Sequence, residues 1–142
     1  MLILDTNVVS ALMRLELNPV IGEWLDKLDR ALLATTAVTI FEVRQGIDSM
    51  PGGKRKRHLE TEFIALMDGP FRDASRVIPL DRVAAEEAGR VHARRLSRGV
   101  NTEITDTMIG AIAVTRGLPL VTRNVRHFDG LPVTLIDPWA QS

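Results

Sequence analysis

The stretch Met-Leu-Ile-Leu-Asp-Thr-Asn at residues 1–7 carries an aspartate to the end of a short apolar run, and a polar turn follows at once. A short apolar run bounded by a turn is typical of a buried strand. In an open α/β sheet, ligands and metals bind at the carboxyl ends of the strands. Asp, Thr and Asn are also ordinary helix N-caps, so Asp5 alone is weak evidence for a site. The stretch predicts a first strand with Asp5 at its functional end.

Apolar segments and helical patterns alternate along the rest of the chain. Strands are expected over residues 1–4, 32–34, 77–80, 118–122 and 131–136. Helices are expected over residues 7–14, from Pro19, after Thr36 or Thr39, from the basic run 54–57, after Asp81, and over residues 104–116. Strands that alternate with helices predict a parallel sheet covered on both faces, within a single domain over residues 1–142.

The amino-acid composition excludes several kinds of site and of function. The 142 residues include no cysteine, which excludes disulfides, zinc–thiolate sites and thiol catalysis. The opening apolar run ends at Asp5, and no stretch approaches the roughly 20 apolar residues of a membrane span. We therefore expect a cytoplasmic protein with no membrane association. The 18 basic and 18 acidic residues cancel, so binding to nucleic acid would need a local basic patch.

Two further acids occupy settings similar to that of Asp5. Glu42 lies in Thr-Ile-Phe-Glu-Val-Arg-Gln-Gly at residues 39–46, where we expect the first turn of a helix that follows a strand. Asp106 lies near the start of the helix expected over residues 104–116. All three acids can converge on the carboxyl edge of a parallel sheet. The alternative is that they cap helices or face solvent, because acids in the first turn also favour the helix dipole.

Convergence would make the three acids a metal site. Three carboxylates do not all stay ionised at close range without a cation, and an all-oxygen set suits Mg²⁺ or Mn²⁺. Such a site fits phosphodiester hydrolysis by a metal-activated water. Thr6 would orient Asp5, or cap the first helix. Glu103, one helical turn before Asp106, would join the cluster, or serve as a capping or solvent residue.

With these motifs, nearly the whole chain resembles the PIN-domain ribonucleases, specifically the VapC/FitB-like toxins of type II toxin–antitoxin modules. The stretch ending in Asp5-Thr6-Asn7 resembles the first motif of that family, and residues 39–46 resemble the second. Residues 105–113, Thr-Asp-Thr-Met-Ile-Gly-Ala-Ile-Ala, resemble the third. Residues 120–128, Leu-Val-Thr-Arg-Asn-Val-Arg-His-Phe, resemble the fourth, and Ile-Asp-Pro-Trp at 136–139 resembles the FitB-like end.

The resemblance implies a three-layer α/β/α fold with a central, mostly parallel sheet of four to five strands. It implies a Mg²⁺- or Mn²⁺-dependent endoribonuclease with Asp5, Glu42 and Asp106 as the acidic triad. Asn124 stands at the fourth acidic position, which leaves open whether one or two metal ions bind. The implied partners are RNA, a cognate antitoxin, and further copies of the chain in a homodimer or higher oligomer. Operator DNA would be bound only through the antitoxin.

Substrate contacts would come from basic side chains near the acids. Arg44, Arg123 and Arg126 are the candidates for RNA binding, because phosphates are held by Lys and Arg. The run 54–57 is expected to be a solvated helix start, and Arg94 and Arg95 to face solvent. The histidines lack the spacing of metal ligands and are expected at the surface. They are His58, His92 and His127.

Two other functions remain open from the sequence. The first is a PIN-fold binding module with weak or no nuclease activity, which acts through an antitoxin in a DNA-bound regulatory complex. The second is an α/β protein in which all three acids are caps. Binding of Mg²⁺ separates this last reading from the metal site, since helix caps bind no cation.

Overall fold

The first strand, β1 (Leu2–Leu4), lies at the centre of a five-stranded parallel sheet in the computed structural model, which describes residues 1–140. The other strands are β2 (Leu33–Thr36), β3 (Val77–Ile78), β4 (Leu120–Val121) and β5 (Leu135–Ile136). Their order across the sheet is β3-β2-β1-β4-β5, and every neighbouring pair is parallel. The chain thus builds outward from β1 on one side and then on the other. This order puts a topological switch point beside β1.

Six helices cover the sheet within residues 1–140. They are α1 (Thr6–Leu12), α2 (Pro19–Asp26), α3 (Ala37–Asp48), α4 (Lys54–Asp68), α5 (Arg82–Ser97) and α6 (Ile104–Arg116). The predicted starts at Pro19 and at residue 104 are confirmed. The predicted cap at Asp81 is also confirmed, and Thr36 rather than Thr39 caps α3.

Each central strand supplies side chains to both faces of the sheet. Successive strand residues point to opposite faces, so Ile3 and Leu4, both fully buried, enter different cores. Leu4 packs in a core with residues of α1 to α4, whereas Ile3 packs with residues of α5 and α6. The strand needs apolar residues at every position because both of its faces are covered. The predicted three-layer fold is therefore confirmed.

Four of the five strands are shorter than predicted, and for the last one local geometry gives the reason. Gly130 has a φ of +82°, which turns the chain, and Pro132 has no N–H to donate to a ladder. The N–H of Val133 donates to the carbonyl of Leu131 at 2.8 Å, which closes a tight turn. Pairing with β4 therefore begins only at Leu135. Among residues 1–140, no helix is both long and apolar enough to traverse a bilayer.

Candidate active site

Asp5 ends β1 and caps α1 at the same time. Its N–H donates to the carbonyl of Val121 at 3.0 Å, which fixes its backbone to β4. Its Oδ1 accepts the N–H of Val8 at 3.0 Å, the hydrogen bond of a helix N-cap. The side chain is only 2% exposed. Asp5 therefore caps a helix and also lies at the carboxyl edge of the sheet, so the two predictions for it do not exclude each other.

The ionised form of Asp5 is disfavoured in the chain alone. Burial raises the pKa of Asp5 to about 6, and the nearby Asp106 carboxylate pushes it in the same direction. The hydroxyl of Thr122 and the N–H of Val8 oppose this rise in pKa. Within residues 1–140, no Lys or Arg forms an ion pair with Asp5. A bound cation would supply the missing positive charge.

Glu42 connects the segments that carry the other two acids. Its Oε1 accepts a hydrogen bond from the Thr6 hydroxyl at 2.6 Å, and its Oε2 accepts one from the Thr105 hydroxyl at 3.0 Å. Thr6 follows Asp5, and Thr105 precedes Asp106. Two donors on one carboxylate fix its orientation. Glu42 is therefore held between β1 and the start of α6.

Two details of this arrangement differ from the sequence prediction. Glu42 lies in the second turn of α3 rather than the first, because the cap at Thr36 starts the helix at Ala37. The hydroxyl of Thr6 donates to Glu42, so it does not orient Asp5 as expected. Asp5 itself, rather than Thr6, is the cap of α1.

Asp106 lies in the first turn of α6 and contacts His127, which was expected at the surface. The Nδ1 of His127 is 2.7 Å from the Oδ2 of Asp106. An ionised carboxylate only accepts hydrogen bonds, so Nδ1 is the donor in this contact when Asp106 is ionised. The Asp106 side chain is 18% exposed and that of His127 is 43% exposed. His127 therefore belongs to the site, although no metal-ligand spacing in the sequence marks it.

A glycine on α6 brings His127 into range. His127 lies in a 3₁₀ turn, Val125–Phe128, whose Phe128 is 1% exposed. A Cβ at Gly110 would lie 3.2 Å from Cδ1 of Phe128 and 2.7 Å from Cδ1 of Leu131. Gly110 follows Asp106 by about one helical turn, on the same side of α6. The absence of a side chain at Gly110 lets the 3₁₀ turn pack closely against α6, beside Asp106.

Replacement of Gly110 by Val is expected to lower the free energy of unfolding by about 1–3 kcal/mol, because the added atoms overpack the contact with Phe128. The control is Gly89→Val on α5, where a Cβ meets no atom within 4 Å. Urea denaturation of both variants measures the difference. Equal stabilities would show that the contact at Gly110 tolerates a side chain.

The remaining predicted residues lie around these acids with different partners. Glu103 is exposed at the N-terminus of α6 and makes no capping hydrogen bond. The N–H of Asn124 donates to the Thr122 hydroxyl at 2.9 Å, which holds the fourth motif beside Asp5. The Arg123 guanidinium lies 4.8 Å from the ring centroid of Trp139. Together with Asn7 and Asn124, these two side chains line a groove of about 440 Å³.

Arg44 and Arg95 have different surroundings from those expected. Arg44 pairs with Asp48 at 2.7 Å and with Glu60, and it lies over the Phe63 ring. These contacts leave its guanidinium engaged within the protein. Arg95 was expected to face solvent, yet only 9% of it is exposed. The spacing of apolar residues on α5 did not reveal that the loop after the helix and α6 enclose this side chain.

A cleft of about 600 Å³ opens beside Glu42 and Thr6. Its floor is apolar and includes Met13, Val43 and Leu59. Three cations of the basic run line its rim: Lys54, Arg55 and Lys56. The run starts α4, as expected, and it also faces the cleft next to the acids.

The donors at this edge suit a hard divalent cation. As they stand in residues 1–140, no three His, Asp or Glu side chains are grouped closely enough to hold one metal ion. Asp5 and Asp106 nevertheless lie close enough for one to raise the pKa of the other, and Glu42 is tied to both of their segments. The donor set is entirely oxygen, the chemistry that Mg²⁺ and Mn²⁺ prefer. The chemistry of these residues therefore fits such an ion.

Comparison with known proteins relates nearly the whole chain to one protein family. Residues 2–132 match the model of the PIN domain. The chain is 32% identical to the VapC ribonuclease Y4jK of Sinorhizobium fredii, over 98% of each protein. It is 29% identical to the toxin FitB of Neisseria gonorrhoeae, over 98% of this chain and 99% of that protein.

A solved structure, that of FitAB bound to an IR36 DNA fragment, has the same fold. It superposes with a TM-score of 0.80 at 28% identity, and the match covers 98% of this chain and 96% of the other. The match of fold, motifs and length establishes the relationship. The chain belongs to the PIN-domain family.

Proposed function

We propose that this chain is an endoribonuclease that depends on Mg²⁺ or Mn²⁺ and acts as the toxin of a toxin–antitoxin pair. The observation that carries the proposal is Asp5, a carboxylate that is 2% exposed, has no ion pair with Lys or Arg within residues 1–140, and faces Asp106. Similarity to the VapC ribonuclease Y4jK and the toxin FitB supports the same activity. Asp5, Glu42 and Asp106 are proposed as the catalytic triad.

Asp5 and Asp106 would hold the cation, and Glu42 would complete the site. When bound, the cation would orient the scissile phosphate, lower the pKa of the attacking water and stabilise the leaving oxygen. Glu42 keeps a fixed orientation through Thr6 and Thr105, so a free lone pair on its carboxylate can accept a proton from that water. His127 holds one oxygen of Asp106 and thereby limits the rotation of that carboxylate.

A direct test is incubation of the purified chain, freed of any antitoxin, with total bacterial RNA. We expect discrete cleavage products with Mg²⁺ or Mn²⁺ and none with EDTA. Sequencing of the new ends identifies the RNA target. Absence of cleavage by a folded chain that binds metal would restrict the activity to a narrow substrate, whereas absence of both cleavage and metal binding would contradict the proposal.

The proposed partners follow from the relatives. FitAB is a complex bound to DNA, which supports an antitoxin partner through which this chain would contact operator DNA. An antitoxin with a basic side chain near Asp5 and Asp106 would satisfy their charge and block the cation. We further propose self-association as a homodimer or higher oligomer, a single-domain organisation, and a cytoplasmic location where the RNA substrate is found.

A second function is favoured by one specific observation. Both oxygens of Glu42 already accept hydrogen bonds, and Asn124 brings no charge to the fourth position. Both features are compatible with a PIN-fold binding module that acts only through its antitoxin, because such a module would need no bound cation. Calorimetric titration with Mn²⁺ distinguishes the two functions. The nuclease requires binding that disappears in Asp106→Asn, whereas the binding module requires none.

A further inference from the structure

A cleft lined by arginines lies on the side of the site beyond Asp106. Its volume is about 290 Å³, and it lies between the C-terminal end of α5, the loop that follows α5, and the segment after His127. Four guanidinium side chains line it, and we call it the arginine cleft: Arg94, Arg95, Arg98 and Arg126. Asp129 is the only acid among its lining residues within the described chain.

Arg95 is a buried cation with only neutral partners. Its Nη1 donates to the hydroxyls of Thr102 and Thr107, each at 3.3 Å. Its Nη2 donates to the carbonyl oxygen of Asp129 at 3.4 Å. Across residues 1–140, no carboxylate forms an ion pair with it. A buried charge without a counter-charge is unfavourable, so the cleft is electrostatically complementary to an anion.

The other arginines add positive charge that is scarcely compensated. Arg94 approaches Glu87 only at 3.9 Å, and in the described chain Arg98 and Arg126 form no ion pair. Cations at the end of α5 favour the helix dipole, which accounts for Arg94 and Arg98. The dipole accounts neither for the burial of Arg95 nor for Arg126, which comes from a separate turn.

The cleft is adjacent to the acids in sequence and in space. Thr107, which binds Arg95, directly follows Asp106, and Arg126 directly precedes His127. A shallow depression lined by Thr102, Glu103 and His127 lies beside it. An extended chain of phosphates with one group at Asp106 would therefore run past His127 into the arginine cleft.

We propose that the arginine cleft binds a backbone phosphate of the RNA strand, next to the phosphate that is cleaved. This inference rests on the proposed ribonuclease function. Guanidinium groups match phosphate oxygens with paired hydrogen bonds and stay charged at every physiological pH. Such contacts position the strand without reading its sequence. Arg98 and Arg126 contact the phosphate, and Arg95 supplies fixed charge behind them.

The test compares two double variants with equal loss of charge. Arg98→Ala with Arg126→Ala removes two accessible guanidinium groups of the cleft and leaves Arg94 and buried Arg95 in place. The control, Arg82→Ala with Arg90→Ala, removes two exposed arginines of α5 that pair with Glu86 and Glu87. Binding of a short, labelled poly(U) strand is measured in EDTA by fluorescence anisotropy at several salt concentrations.

We expect the cleft variant to bind RNA at least about tenfold more weakly than the control at low salt. Loss of the contacts to this one phosphate should also reduce the slope of log Kd against log salt concentration by about 0.7. In cleavage assays the KM should rise with little change in kcat, because the cleft contacts a phosphate that does not react.

Equal RNA affinity in the two variants, or no binding of poly(U) by the wild type, would overturn the proposal. If the cleft variant binds RNA normally but binds the antitoxin more weakly, the cleft is a protein-binding surface and the proposal is also wrong. A wild type that binds RNA but neither binds metal nor cleaves RNA would overturn the proposed function alone, and the comparison of the two variants would still decide the role of the cleft.

Discussion

Asp5→Asn is expected to slow RNA cleavage by about 10²–10³-fold or more while the chain remains folded. Asn carries no charge and would weaken the cation site at its most buried ligand. Asn is also as good a helix N-cap as Asp, so the hydrogen bond from the Val8 N–H persists. The loss of activity can therefore be separated from a loss of fold, which would not be possible with Asp5→Ala.

The matched control for this variant is Asp81→Asn. Asp81 is also a helix N-cap, accepts the N–H of Ala84 at 2.9 Å, and lies at the start of α5 away from the triad. Initial cleavage rates at saturating Mg²⁺ and circular dichroism spectra should be recorded for both variants. Cleavage at the wild-type rate by a folded Asp5→Asn chain would remove Asp5 from the catalytic triad.

The second large effect is a gain in stability in that same variant. Burial raises the pKa of Asp5 from 3.8 to about 6, so the folded chain keeps a proton that the unfolded chain releases between about pH 4 and pH 6. Within that window the contribution of Asp5 to the free energy of unfolding falls as the pH rises, and above about pH 6 the loss is complete. Asn bears no such loss, so at about pH 8 the variant should be more stable by roughly 1–3 kcal/mol.

Urea denaturation in EDTA across this pH range measures the effect. The difference in free energy of unfolding between Asp5→Asn and wild type should increase from about pH 4 to pH 6 and stay level above it. Asp81→Asn should show no such rise. Addition of Mg²⁺ should stabilise the wild type and Asp81→Asn by about 2.7 kcal/mol at a hundred times the Kd, and should not stabilise Asp5→Asn. A variant that is less stable than wild type at about pH 8 would contradict the raised pKa of the buried Asp5 carboxyl.

Much of the fold followed from local patterns. Residues 1–7 predict a strand that ends at Asp5, and the structure places that strand at the centre of the sheet. The start of α6 at residue 104 and its end before Gly117 were also predictable, because Gly117 adopts a φ of +63°. The length of β5 was not, since a turn at residues 131–133 replaces the first part of an apolar run that resembles a strand.

The site was only partly predictable, for a physical reason. Acids at strand ends and helix starts can be recognised one at a time, and so Asp5 and Asp106 were identified. The partners of these acids depend on tertiary packing between distant segments. Glu42 binds hydroxyls that precede and follow it by 36 and 63 residues, and the contact between His127 and Asp106 depends on Gly110. Arg95 was misplaced because the segments that bury it follow α5 in the chain.

The most direct test of the metal centre is a crystal structure of the chain grown with Mn²⁺, with anomalous scattering recorded to locate the ion. We expect an anomalous peak from an ion bound by the carboxylate oxygens of Asp5 and Asp106, with Glu42 bound to it directly or through water. Loss of that peak in Asp5→Asn would complete the result. A peak elsewhere, or no peak in a chain that cleaves RNA, would contradict the assignment of these acids as the metal site.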